Sequence, residues 1–132
     1  MKLYFDGSNT ETKTGYGFVL MRQGRQVIKE GSHQIPKSTS NVAEYSAVCA
    51  GILMAADYLT PGEPLEIMGD SQLVINQIEG KFKIKAPHLI KLRDLAVDRI
   101  TQLRKAGHPV TLKWIRRGTN GYADRLAGHA TA

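Results

Sequence analysis

The sequence predicts an α/β fold, a mixed sheet with helices packed on it, and three observations predict it. The first third carries three strand-like segments in succession. The hydrophobic period then lengthens from two to between three and four. Beyond that switch, helix-like and strand-like segments alternate. At 132 residues the chain is too short for two separate cores, so residues 1–132 are expected to form a single domain.

The elements follow in order. Lys2 to Asp6 alternates, with Leu3 and Phe5 on one face. Tyr16 to Met21 and Gln26 to His33 come next, separated by the turn-prone Arg22-Gln23-Gly24-Arg25, which suggests an antiparallel meander. Tyr45, Val48, Ile52, Ala55 and Leu59 then form the stripe of an amphipathic helix, stopped by Pro61-Gly62. Leu65 to Met68 is a brief apolar strand ending at Gly69-Asp70. Leu73, Ile75 and Ile78 mark a short helix that Gly80 ends. Lys81 to Lys85 alternates basic and apolar residues. A longer helix is expected over Pro87 to Lys105, with Leu89, Leu92, Leu95, Ala96, Ile100 and Leu103 inward and Gly107 and Pro109 beyond it. Val110 to Ile115 reads as a strand, with Trp114 expected in the core. Arg116 to Tyr122 reads as a loop and Ala123 to His129 as a last helix.

Composition narrows the function. Hydrophobic residues make up 42% and charged residues 23%, enough to bury a core and too apolar for a disordered tail. Eighteen Lys and Arg against twelve Asp and Glu give a net charge of +6, which favours an anionic partner such as nucleic acid or an acidic membrane surface. A membrane span is excluded, because the longest apolar stretch, Val42 to Leu59, is broken by Glu44, Ser46 and Asp57. Cys49 is the single cysteine and is expected as a buried free thiol. The opening Met-Lys-Leu-Tyr-Phe-Asp lacks the pattern of a signal peptide, so a reducing cytoplasm is the expected setting.

Four carboxylates stand out, and each has an ordinary structural explanation. Asp6-Gly7 fits a turn. Asn41-Val42-Ala43-Glu44 fits a capping box with Asn as the cap. Asp70 fits an N-cap, and Asp124 fits the first turn of the last helix. Their joint placement says more. Asp6 and Asp70 both terminate strands, and adjacent parallel strands would bring both to the carboxyl edge where open α/β sheets place their sites. Glu44 and Asp124 lie near helix starts that can face the same edge. Four converging acids repel one another without a cation. Mg²⁺ takes oxygen ligands, and a pair of such ions can activate water at a phosphodiester.

The segments Tyr4-Phe5-Asp6-Gly7-Ser8, Thr39-Ser40-Asn41-Val42-Ala43-Glu44-Tyr45, Gly69-Asp70-Ser71-Gln72-Leu73-Val74 and Asn120-Gly121-Tyr122-Ala123-Asp124-Arg125-Leu126-Ala127, in that order, resemble the type 1 ribonuclease H family over nearly the whole chain. The resemblance implies a ribonuclease H-like fold, a five-stranded mixed sheet whose first three strands are antiparallel. It implies that Asp6, Glu44, Asp70 and Asp124 are the catalytic, metal-binding acids, using two Mg²⁺ ions with Mn²⁺ as a substitute. It further implies hydrolysis of the RNA strand of an RNA–DNA hybrid, leaving 5′-phosphate and 3′-hydroxyl ends. Hybrid recognition relies on the 2′-hydroxyl in a wide minor groove. Asn9, Ser40, Asn41 and Gln72 match polar substrate-contacting positions, the backbone at Gly7 and Ser8 can approach a sugar, and Thr39 matches a phosphate-contacting position or is a plain helix-start threonine.

The chain also departs from the family pattern. The loop before Asp124 has no histidine, and Arg116 or Arg117 would serve there electrostatically or simply face backbone or solvent. There is no room for a protruding basic helix. Lys81, Lys83 and Lys85 share one face if extended, where they would meet phosphates or protect a solvated edge. His108 and His129 read as structural. No hybrid-binding domain is recognisable at either end, so modest affinity, steep salt dependence and little sequence preference are expected; a monomer is the expected state. The competing functions are a same-fold nuclease with relaxed choice, including double-stranded RNA, and a non-catalytic hybrid-binding module.

Overall fold

A computed structural model describes residues Met1–Ala132. Alternation in the first third produces β1 (Lys2–Asn9), β2 (Thr14–Arg22) and β3 (Gln26–Ile35), paired antiparallel. β4 (Leu65–Gly69) pairs parallel with β1, and β5 (Val110–Trp114) parallel with β4. The result is a five-stranded mixed sheet of order β3-β2-β1-β4-β5, as expected. Four helices complete it: α1 (Ser40–Tyr58), α2 (Gln72–Ile78), α3 (Pro87–Lys105) and α4 (Gly121–Ala130). None is long and apolar enough to cross a membrane.

The main core lies between one sheet face and α1, backed by α3. Leu3 and Phe5 of β1, Phe18 and Leu20 of β2, and Leu65 and Ile67 of β4 meet Tyr45, Val48, Ile52 and Ala55 of α1. Each of the large aliphatic and phenylalanine side chains contributes roughly 1.5–3 kcal/mol of burial. The buried Tyr45 hydroxyl donates to Gln77 Oε1 at 2.7 Å, so α1 and α2 are locked by a satisfied polar pair. Cys49 is buried here, and burial pushes its thiol up to about 11, which makes it inert. α4 lies on the opposite face. Gly17 permits this: a Cβ there would stand 2.5 Å from the Ala127 nitrogen. Helix and sheet therefore touch backbone to backbone.

Several local expectations give way. Asp6-Gly7 makes no turn, because β1 keeps pairing with β2 as far as Asn9 opposite Thr14. Asn41 does not cap α1. Thr39 does, its Oγ1 accepting from the Val42 amide at 3.2 Å, which puts Asn41 inside the first turn. Asp70 does not cap α2, since Ser71 does so through the Val74 amide. Trp114 is 44% exposed and not core, because it is the last residue of the edge strand β5. Leu95 and Leu73 also face outward, since the apolar arcs of α3 and α2 are narrower than their Leu content suggests. Lys81 to Lys85 forms no strand, so it is no sheet edge in need of protection, and all three lysines are exposed.

Candidate active site

The sheet topology brings the acids together. Phe5 opposite Gly69 is the last pairing of β1 with β4, so Asp6 and Asp70 follow it side by side at the carboxyl edge. Glu44 arrives from α1. Its approach depends on Gly7, where a Cβ would lie 2.6 Å from the Glu44 nitrogen. The glycine lets the start of α1 rest on β1. Asp124 arrives from α4, whose position is set by Asn120. The buried Asn120 amide donates to the Phe5 carbonyl at 2.9 Å, and the Asn120 carbonyl accepts from the Asp124 amide at 3.0 Å.

One oxygen each from Asp6, Glu44 and Asp70 lie within 4.8 Å of one another. Asp124 is outside this group of three and pairs with Arg117 at 3.7 Å. Asp6 is only 4% exposed and accepts the Gly7 amide at 3.0 Å. Glu44 Oε2 is buried with no hydrogen-bond partner. A carboxylate oxygen in that state costs free energy until a cation or proton meets it. Burial, then the neighbouring Glu44, raises Asp6 to about 9. Burial likewise raises Glu44 to about 7, opposed by its hydrogen bond with Asp6. Asp70 is also raised, by burial first, with Arg117 opposing. Asp6 and Glu44 titrate as a pair, and both move upward. The donors are all carboxylate oxygens, a set that suits a hard divalent cation. The orphaned Glu44 oxygen provides an unfilled coordination point, so the residues present fit a metal ion.

A groove of about 510 Å³, lined by no hydrophobic residue, surrounds the acids. Gly7, Ser8, Asn9, Ser40, Asn41, Arg117 and Asp124 line it with the three clustered carboxylates. Asn9 is already engaged, its Oδ1 accepting from Thr14 at 2.7 Å and Lys37 at 2.6 Å. Thr39, Gln72, Arg116, Lys81, Lys83 and Lys85 do not line the groove. Three contributors escaped the sequence reading: Ser71, Gly128, which lines the groove from α4, and Asn120. Ser71 lines the groove while capping α2, and a Ser after Asp70 at a helix start was the available signal. Asn120 ties β1 to α4 through a contact spanning 115 residues, for which a single sequence carries no signal.

A mixed sheet of this order, with an acid cluster at its carboxyl edge, defines the class, and comparison with known proteins places the chain within it. The family described as reverse transcriptase-like matches residues 4–130. The bifunctional protein Rv2228c of Mycobacterium tuberculosis is 38% identical over 117 residues, which cover 88% of this chain and 30% of that protein. The solved N-terminal RNase H domain of the same protein, as a fusion with maltose-binding protein, superposes with a TM-score of 0.88 at 32% identity, covering 99% of this chain and 98% of that one. Ribonuclease HI of Halobacterium salinarum is 33% identical over 129 residues, covering 96% of this chain and 62% of that protein. LC11-RNase H1, solved in complex with an RNA/DNA hybrid, matches with a TM-score of 0.86 at 26% identity, over 98% of this chain and 94% of that one. The chain belongs to the reverse transcriptase-like family and, within it, is ribonuclease HI-like. It spans about 30% of the mycobacterial relative's length and 62% of the halobacterial one's.

Proposed function

We propose that residues 1–132 form one catalytic domain that hydrolyses the RNA strand of RNA–DNA hybrids, leaving 5′-phosphate and 3′-hydroxyl ends. The observation that carries this reading is the convergence of Asp6, Glu44 and Asp70 within 4.8 Å, with a buried Glu44 oxygen that nothing satisfies. The resemblance to solved RNase H chains over nearly the full length supports it. Asp6, Glu44 and Asp70 would hold divalent metal, Mg²⁺ or Mn²⁺, as two ions with substrate, and Asp124 would complete the set. When bound, such ions lower the pKa of water and stabilise a leaving oxygen. The chain's own residues supply the rest. Ser8, Ser40 and Asn41 line the groove as neutral donors and acceptors suited to a 2′-hydroxyl, which is how RNA is told from DNA. Arg117 offers a permanent cation to phosphate from the groove wall, where many relatives of this type carry a histidine. A monomer in the cytoplasm is the expected setting.

The test offers hybrid, double-stranded RNA and double-stranded DNA side by side with Mg²⁺ or Mn²⁺. The expected outcome is cleavage of the hybrid's RNA strand, with Asp70→Asn losing turnover while hybrid binding persists. Comparable cutting of double-stranded RNA would establish the relaxed nuclease instead. Preferential cutting of duplex DNA, or full activity in Asp70→Asn, would overturn the assignment. Binding without cleavage in the wild type would make the chain a hybrid-binding module.

A further inference from the structure

α4 has ten residues and packs on β2 and β1, and beyond its start the same side of the sheet carries grooves open to solvent. Two cavities, of about 630 Å³ and 610 Å³, run together there because both are lined by Tyr4, Met21 and Arg25. The first extends along Gly118 to Tyr122 and Arg125, and the second along Lys2 and the β2–β3 turn. Three cations on this surface, Lys2, Arg25 and Arg125, belong to none of the protein's ion pairs. Glu66 is the only acid in the lining. Arg125 lies over the Tyr122 ring at 4.7 Å from its centre, and the Tyr122 hydroxyl donates to Glu30 at 3.2 Å. The guanidinium thus sits over the face of a tethered ring, and both line the groove. Arg25 is also unusual, as the one non-glycine residue in the left-handed region, with φ of 58°. Such a conformation costs free energy and persists where the surroundings enforce it. Here it places a cation at the far end of the open face.

The groove and the active site share a wall. The short 3₁₀ turn Arg117–Thr119 puts Arg117 in the acid-lined groove, and the residues directly after it, Gly118 and Thr119, in the second. From this arrangement we infer that the open face is a second nucleic-acid site, one that takes a single strand continuing beyond the hybrid. Unpaired cations spaced along a groove match a phosphate backbone, and an aromatic–guanidinium pair matches an unstacked base. An acidic polypeptide would use the cations and leave the Tyr122–Arg125 platform without a purpose. The site rests on the reading of the chain as a hybrid nuclease, because it is the continuation of that substrate that would reach it.

The experiment measures binding of a fluorescent oligothymidylate of about 12 nucleotides, and cleavage of a blunt hybrid and of one bearing a single-stranded extension. Wild type binds the oligothymidylate, with polyglutamate a poor competitor. Tyr122→Ala weakens that binding about tenfold. Arg25→Ala with Arg125→Ala lowers the salt slope by about 0.7 for each cation removed. Neither change affects cleavage of the blunt hybrid, while both remove any preference for the extended one. Unchanged oligothymidylate binding in these variants, or displacement by polyglutamate as effective as by DNA, would overturn the inference. Blunt-hybrid cleavage by the wild type separates this failure from failure of the underlying reading: lost with no cleavage at all, it is the nuclease assignment that falls, and lost with cleavage intact, only the second site.

Discussion

Two carboxylate sites at opposite ends of β4 receive opposite treatment. Glu63, just before the strand, accepts Arg22 Nε and a second guanidinium nitrogen, both at 2.9 Å, and lies 3.4 Å from the N-terminal ammonium. The Arg22 hydrogen bonds hold its carboxyl well below the usual carboxylate range. Asp6 and Glu44, beyond the strand's other end, are raised to about 9 and about 7, both by burial first and Asp6 also by the neighbouring Glu44. The chain carries eighteen Lys and Arg, yet Arg117 is the only cation lining the acid groove. Counter-charge is plentiful overall and scarce at this one edge. A structural acid is given its cation by the fold, and acids that converge without one are left to an external cation or to protons.

Four experiments would break or sharpen that contrast, the largest effect first. Asp6→Asn is expected to reduce hybrid hydrolysis roughly 10³-fold, the scale of losing one preorganised electrostatic group. A cleavage time course reads it, and near-normal turnover would show that the raised acid is only structural. Divalent metal comes second. Asp6 and Glu44 have folded pKa values above their ordinary values of 3.8 and 4.5, so the folded state holds extra protons between the two. The stability they provide is therefore present at low pH and lost as pH rises through about 7 and about 9. Melting curves in chelator should fall across that window. Mg²⁺ should flatten the fall and, at a hundred times its Kd, add about 2.7 kcal/mol. Third, Gly7→Ala drives a Cβ to 2.6 Å from the Glu44 nitrogen, a backbone atom with little room to move. It should cost about 1–3 kcal/mol in urea denaturation. The smallest effect belongs to Glu63→Gln, which should lower Tm by a few degrees and leave hydrolysis untouched. Glu63 has a depressed pKa, so its contribution is present above its ordinary value of 4.5 and lost as pH falls below it. The acid side of the melting profile is where this variant should differ.

Much of this was legible in the sequence, for identifiable reasons. Strand alternation and the change of period in the chain are local signals, and α3 begins and ends at Pro87 and Lys105 as expected. The nearness of Asp6 and Asp70 followed from two strands that each end on an acid and prove to be parallel neighbours. What failed was detail decided by tertiary context. Thr39 and Asn41 are both competent caps, and the sequence alone does not rank them. Trp114 has the character of a core residue, but it sits at the end of an edge strand and donates its indole N–H to the Asp70 carbonyl at 3.1 Å. Asp124 lines the same groove as the other three acids but lies beyond their 4.8 Å cluster and beside Arg117, a finer placement that the spacing of the chain does not carry.

The Asn120 bond to β1 decides how the fourth acid can move. With Asn120 clamped to the central strand and Asp124 hung one turn later, the start of α4 is held against the sheet. What is left to the half-exposed Asp124 is rotation about its own side-chain bonds, exchanging Arg117 for whatever cation is offered. Such flips take about picoseconds to nanoseconds. Bringing the Asp124 carboxylate toward a cation at the cluster would therefore take a swivel and not a lid.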